Sequence, residues 1–289
     1  MQSIDTLQSQ VDLIRSESSR LMQYVNDLPP EALENPSPCD KWNVGEVIAH
    51  LDWFADTYGG MMERGLRDDQ SPTEGLPSVP PGTPNRQVIV DEYYGQAAID
   101  RRRSLGQDLI PAFTERFNRL NNVLAGIGPE DWDKLCYHST GLRSVASFLP
   151  TLISELALHE WDIRSTLEPS PPVSQGIMPV LMKKIPGNRG RPWSISFPDM
   201  KDAPGPIRYR FELTGEAGGK RDILVEGNRA RMEPAGDGSA NLTLAGDTGT
   251  FILLMYGRLR LESAIATGGF DAKGNLGLVP GFDRWLEGV

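Results

Sequence analysis

Apolar side chains recur at helical spacing from the start of the chain. Ile4, Leu7, Val11, Ile14, Leu21, Tyr24 and Val25 share one stripe, which predicts an amphipathic helix over residues 3–27. Pro29 and Pro30 end it. Asn43 followed three residues later by Glu46 has the form of a capping box, so a second helix is expected to run from there through His50, Leu51, Phe54 and Tyr58 to about Glu63. Residues 65–86 are rich in glycine, proline and polar side chains and predict a long loop, the kind that serves as a lid or a disordered link. Helical spacing returns from Gln87 to Ala125, with a bend expected near Pro111, and again from Arg143 to Leu167. Four long helices joined by loops predict a four-helix bundle over residues 1–168.

The pattern then changes. Glu168-Pro-Ser-Pro-Pro-Val173 reads as a linker, after which the helical period fades. Trp193–Phe197 and Ile207–Leu213 alternate as strands do, and Asp222–Val225 and Asn241–Leu244 do so more weakly, with glycine-rich turns between them. Phe251–Tyr256 predicts a short buried helix and Val279–Leu286 a last one. The expected fold class is therefore α+β in two domains, the second spanning residues 175–289.

Composition narrows the function. With 39% apolar and 24% charged residues the chain reads as a soluble globular protein. A net charge of −10 argues against a nucleic-acid partner, since phosphate backbones need compensating cations. No apolar run reaches the roughly 18–20 residues that span a bilayer, and the N-terminus lacks the form of a signal peptide. A cytoplasmic protein with no membrane partner is expected on those missing signals. Cys39 and Cys136 are the only cysteines, so neither a disulfide framework nor a cysteine metal cluster is expected, and both read as structural.

Candidate chemistry centres on three histidines. Glu155 and His159 are four residues apart and share one helix face. His50 alone is more often an ordinary helix residue than a ligand, and Glu155 with His159 alone reads equally well as an ordinary i,i+4 polar pair. Together, two imidazoles and one carboxylate compose an open site for a divalent metal, provided the two segments are neighbours. His138 is a candidate for proton transfer, against the plainer reading of a loop histidine. Asp162 could orient a ligand, although a helix-surface or capping salt bridge is the expected role. Arg86, Arg143, Arg208 and Arg258 are candidate carboxylate anchors, because a guanidinium pairs with carboxylate bidentately.

Two motifs carry a resemblance. Pro36-Ser-Pro-Cys39-Asp-Lys-Trp42-Asn-Val-Gly-Glu-Val-Ile-Ala-His50-Leu resembles the second helix of DinB-like metal-binding bundles, and Glu155-Leu-Ala-Leu-His159-Glu-Trp161-Asp162 is similar to the Glu-x-x-x-His-x-Trp-Asp signature of the mycothiol-dependent maleylpyruvate isomerase family. The second half, ending Gly268-Gly-Phe-Asp-Ala-Lys-Gly-Asn-Leu, resembles a sterol-carrier-type domain. Cys39-Asp-Lys-Trp42 departs from that family's Cys-Pro-Gly-Trp turn without touching a ligand. The resemblance implies His50, Glu155 and His159 as metal ligands, with His50 at the catalytic centre. It also implies a small thiol cosubstrate such as mycothiol, and an electrophilic substrate that is either isomerised from cis to trans or captured by S-transfer. Zinc is the default metal for the set, with nickel, iron or manganese also fitting. The glycine-rich turns of the second domain are expected to close over the bundle, and a monomer is expected. His159-Glu-Trp-Asp is not His-Glu-x-x-His, so a zincin protease is not supported. The alternatives are a non-catalytic metal-binding stress protein and a lipid or small-molecule carrier.

Overall fold

The helical spacing of the first half builds helices where it predicts them, with one break in a different place. α1 spans Ile4–Asn26, α2 Val44–Leu66, α3 Arg86–Leu105, α4 Leu109–Ala125 and α5, after the short antiparallel strands β1 (Leu135–Cys136) and β2 (Arg143–Ser144), Val145–Arg164. The computed structural model describes residues 4–39, 42–76, 79, 83, 86–185, 206–226 and 229–286. The expected helix from Gln87 to Ala125 is two helices, and the break lies at Gly106–Asp108 rather than at Pro111. Gly106 takes a φ of +51°, a conformation glycine adopts without steric cost. Pro111 falls in the first turn of α4, where its missing N–H has no intrahelical acceptor to lose.

Asn43 caps α2 as its spacing predicts. Its side chain accepts from the Glu46 amide at 2.9 Å, and the Glu46 carboxylate accepts from the Asn43 amide at 2.9 Å. α1 packs on α4 and α5, and α2 packs on α4 and α5, closing a four-helix ring, with α3 laid against α2. Arg101 of α3 reaches the fully buried Asp52 of α2 at 2.5 Å, pinning that fifth helix to the ring. α5 is enclosed on nearly every side: Leu149, Leu152, Ile153 and Leu156 are buried, but so are the polar His159, Glu160 and Asp162. Buried apolar residues in a ring of helices are ordinary; three buried polar residues within about one turn are not.

The chain folds as two compact units, Met1–Pro172 and Val173–Val289. In the second unit α6 (Met178–Lys184) precedes strands β3 (Ile207–Thr214), β4 (Gly219–Glu226), β5 (Arg229–Pro234) and β6 (Leu242–Asp247), then α7 (Thr248–Met255), α8 (Leu261–Ala266), β7 (Phe270–Gly274) and α9 (Val279–Leu286). The strands form one sheet in the order β5-β4-β3-β6-β7, antiparallel except for the parallel β3–β6 pair. Alternation along β3 turns Tyr209, Phe211 and Leu213 inward, against Phe251, Phe270 and Phe282. The strand expected over Trp193–Phe197 lies outside the described residues. Among the described residues, no helix is long and apolar enough to cross a membrane.

Two substitutions test this packing. A Cβ added at Gly65 of α2 would lie 2.3 Å from the Cys136 sulfur and 3.0 Å from the Leu135 carbonyl. Gly65→Ala is therefore expected to destabilise by about 1–3 kcal/mol, although alanine ordinarily favours a helix over glycine. Asn43→Ala should cost about 1 kcal/mol through the lost cap. Urea unfolding midpoints of the two variants check both values, and a stabilised Gly65→Ala would contradict the close approach of α2 to β1.

Candidate metal centre

The site forms where α2 crosses α5. His50 points from the second turn of α2; Glu155 and His159 come from successive turns of α5. Glu155 Oε2 lies 3.2 Å from His50 Nε2 and 3.3 Å from His159 Nε2, and the three ligand atoms all fall within 4.8 Å of one another. Both imidazoles are buried, whereas the Glu155 side chain is 30% exposed and forms the open side. The donor set fits a divalent ion on chemistry: two nitrogens and one carboxylate oxygen converge, with one face left for a further ligand.

The two histidines are held differently. Asp162, with a side chain of 0% exposure, accepts from His159 Nδ1 at 2.9 Å, which fixes the ring and aims Nε2 at Glu155. Asp162 is therefore not on the helix surface, as its sequence setting suggested; α5 is too enclosed to leave that face in water. Its Oδ2 also lies 3.1 Å from the sulfur of Cys39, which stands 3.9 Å from His159 Nδ1. Cys39 is thus part of the site's surroundings rather than packing, unlike Cys136, which is fully buried and whose thiol burial pushes up to about 11. His50 Nδ1 has no hydrogen-bond partner among the described residues; the Trp42 ring instead lies 5.0 Å from the His50 ring. Burial holds His50 below the ordinary imidazole value, against the pull of Glu155. Burial works the same way on His159, but hydrogen bonds to Asp162, Cys39 and Glu155 outweigh it and hold that ring well above the ordinary value. Burial would raise Glu155, yet its bonds to His159 and His50 hold it well below the usual carboxylate range.

The remaining sequence candidates fall in different places. His138 is buried in the β1–β2 connection and is not one of the three convergent residues. The Thr140 amide donates to its Nδ1 at 3.2 Å, which puts the proton of the neutral ring on Nε2, 3.3 Å from the Tyr58 hydroxyl. Arg143 donates to the Thr140 hydroxyl at 3.0 Å in the same connection. Beside it, Tyr94 of α3 shares a 3.2 Å hydrogen bond with Ser139 and packs its ring 5.0 Å from Trp53. Burial pushes the Tyr94 phenol up; Ser139 and the Arg143 guanidinium pull it down, and the Glu155 carboxylate adds to the rise. Tyr94 thus sits within electrostatic reach of both Arg143 and the open ligand Glu155. Arg86 opens α3, and its side chain lies outside the described residues. Arg208 is engaged by the buried Asp222 at 2.5 Å, and Arg258 belongs to the second unit, donating to the Tyr256 carbonyl at 3.0 Å. Sequence reasoning missed Tyr94 altogether, since nothing local sets it apart from Tyr93.

These features define a helical-bundle protein with a His/Glu/His cluster at its centre, followed by a sheet-containing unit. Residues 14–164 match the model of the mycothiol maleylpyruvate isomerase N-terminal domain, and the chain belongs to that family. Residues 206–287 match the model of the SCP-2 sterol transfer family. The crystal structure of the mycothiol-dependent maleylpyruvate isomerase aligns over 95% of this chain and 95% of its own, with a TM-score of 0.58 and 13% identity. That of a histidine-to-alanine mutant of such an enzyme gives a TM-score of 0.57 and 12% identity over the same shares. At these identities the likeness is one of fold. No curated protein matches the chain.

The charge states predict a pH dependence. His159, raised in the metal-free protein, carries a proton at pH 7 that a metal must displace; His50, lowered, does not. Apparent metal affinity should therefore rise about tenfold per pH unit from roughly pH 6.5 up to the raised His159 value, and fall away below it. Calorimetry in buffers of different ionisation enthalpy should find about one proton released per ion at pH 7. Release of none would contradict the assignment of His159.

Proposed function

We propose that this protein is a divalent-metal-dependent enzyme that uses a small thiol, of the mycothiol kind, to isomerise a maleylpyruvate-type 2-oxo acid from cis to trans. The observation that carries the reading is the convergence of His50 Nε2, Glu155 and His159 Nε2 within 4.8 Å, beneath a partly exposed carboxylate. Family membership and the shared fold support the thiol and the reaction class. His50, Glu155 and His159 would hold the metal, with zinc the default for this set. A divalent ion held there lowers the pKa of a thiol, so that sulfur reacts as thiolate at neutral pH.

The chain's own residues supply the rest. The Trp42 ring lies against the His50 ring, and Trp53 packs against Tyr94. Arg143, with the hydrogen-bonded Tyr94 and Ser139 hydroxyls, offers the kind of group that orients a substrate carboxylate, and Tyr94 is within electrostatic reach of both Arg143 and Glu155. In the reaction the thiolate sulfur adds to the double bond conjugated to the 2-oxo group. The resulting single bond rotates, and expulsion of the same thiolate restores the double bond in the trans form. His138 takes no direct part in this reading: it hydrogen-bonds with Tyr58 and Thr140 and holds the connection that carries Ser139 and leads into Arg143. Release of the adduct before expulsion would make the same site an S-transferase, and product analysis separates trans acid from thioether.

Two variants test the assignment. His50→Ala should lose bound metal and thiol-dependent turnover together; full metal content in that variant would refute the ligand set. Arg143→Gln should keep its metal but raise KM for a dicarboxylate about 10-fold or more, the size of one lost charge-assisted hydrogen bond. An unchanged KM would remove Arg143 from the substrate site.

A further inference from the structure

Asp162 holds His159 by Nδ1 at 2.9 Å, the Cys39 sulfur stands 3.9 Å from the same nitrogen, and Cys39 also holds Asp162 from one side. A carboxylate only accepts hydrogen bonds, so both neighbours of Oδ2 must donate: His159 through Nδ1–H at 2.9 Å and Cys39 through S–H at 3.1 Å. In this arrangement the Cys39 sulfur is the donor and the Asp162 carboxylate the acceptor.

Hydrogen bonds join Ser37, Cys39 and Trp42. The Cys39 amide donates to the Ser37 hydroxyl at 3.1 Å, the Ser37 hydroxyl donates to the Trp42 carbonyl at 2.7 Å, and the Trp42 amide donates to the Cys39 carbonyl at 2.7 Å. The same turn leads directly into the Asn43 cap of α2. One end of it touches α5 through Cys39 and Asp162; the other lays the Trp42 ring 5.0 Å from His50 and 6.1 Å from His159. Cys39 and Trp42 thus lie against imidazoles on two different helices.

We infer that Cys39 is a positioning residue: its thiol holds the Asp162 carboxylate in the orientation that aims His159 at the metal. The inference rests on the reading of His50, Glu155 and His159 as ligands. It makes Cys39 a donor that serine can replace and alanine cannot.

The test is metal affinity of the full chain, stripped and titrated with Co(II) and Zn(II) against a chromophoric chelator. Loss of a residue that orients a ligand lowers affinity by about 10–100-fold. Cys39→Ala is expected near the low end of that range, with the isosteric Cys39→Val beside it in case the smaller side chain impairs folding. Cys39→Ser should stay within about threefold of the parent, and Asp162→Asn should be at least as weak as Cys39→Ala. Wild-type affinity in both Cys39→Ala and Cys39→Val would overturn the inference, as would a Cys39→Ser as weak as Cys39→Ala. A sulfur-to-cobalt charge-transfer band in the parent, absent from Cys39→Ser, would overturn it too, because the thiol would then be a ligand. If the parent binds no metal, the ligand reading fails first; if the parent binds and Cys39→Ala matches it, only the role of Cys39 fails.

Discussion

One carboxylate oxygen between two imidazoles is the constraint around which the bundle is arranged. The rings of His50 and His159 are 4.8 Å apart, and two imidazolium ions so close would repel strongly in a buried place. Glu155 Oε2 reaches both. In the metal-free protein burial holds His50 below the ordinary imidazole value, while hydrogen bonds hold His159 well above it and Glu155 well below the usual carboxylate range. A dication among these groups would engage Glu155 and both rings at once, which is a physical reason for such a donor set to favour a metal.

Keeping that cluster in place dictates much of the helical unit. The ligands lie on two helices, so the crossing of α2 and α5 must be fixed to within a fraction of an ångström. The Asn43–Glu46 box fixes where α2 begins, and Gly65 lets its far end approach Cys136. On the opposite face of α5 the buried Glu160 is matched by Arg20 and Arg164, with 2.6 Å and 3.2 Å contacts, so that this polar helix leaves no charge uncompensated on the side away from the site. Each polar group buried in α5 costs desolvation, and each is answered by a named partner. A helix in this position built from leucine alone would be more stable and would hold nothing.

Much of this was legible in the sequence, and the exceptions have a common cause. Helix periodicity located α1, α2 and α5, and the strict alternation of Ile207–Leu213 located β3, because each of those patterns reflects burial on one side of a regular element. The break at Gly106 was misplaced because proline is read as a breaker wherever it stands, yet in the first turn of a helix it breaks nothing. β5 escaped notice because Arg229-Ala-Arg-Met-Glu-Pro, although it alternates, has the charged composition of an edge strand and only Ala230 and Met232 as apolar positions before its proline. At the site, the i,i+4 spacing of Glu155 and His159 announced a shared face, but the pairing of Cys39 with Asp162 spans 123 residues and has no local signal. The same holds for Tyr94 and Ser139. Ligands tend to lie on regular elements with regular spacing; the residues that orient them are chosen by the tertiary fold.

The geometry also has two unequal sides, and the difference bears on function. Behind His159, Asp162 is fully buried, Cys39 donates to it, and the partly exposed Trp42 ring lies against both imidazoles. In front, Glu155 is partly open, and Tyr94 of α3 lies within electrostatic reach of it and of Arg143. A purely structural metal site has no use for such asymmetry, since it is best served by four saturating ligands and a sealed shell. A closed rear that fixes ligand direction, joined to a polar front that can orient an anion, is the division expected when a small charged molecule must be presented to the open position in a defined orientation.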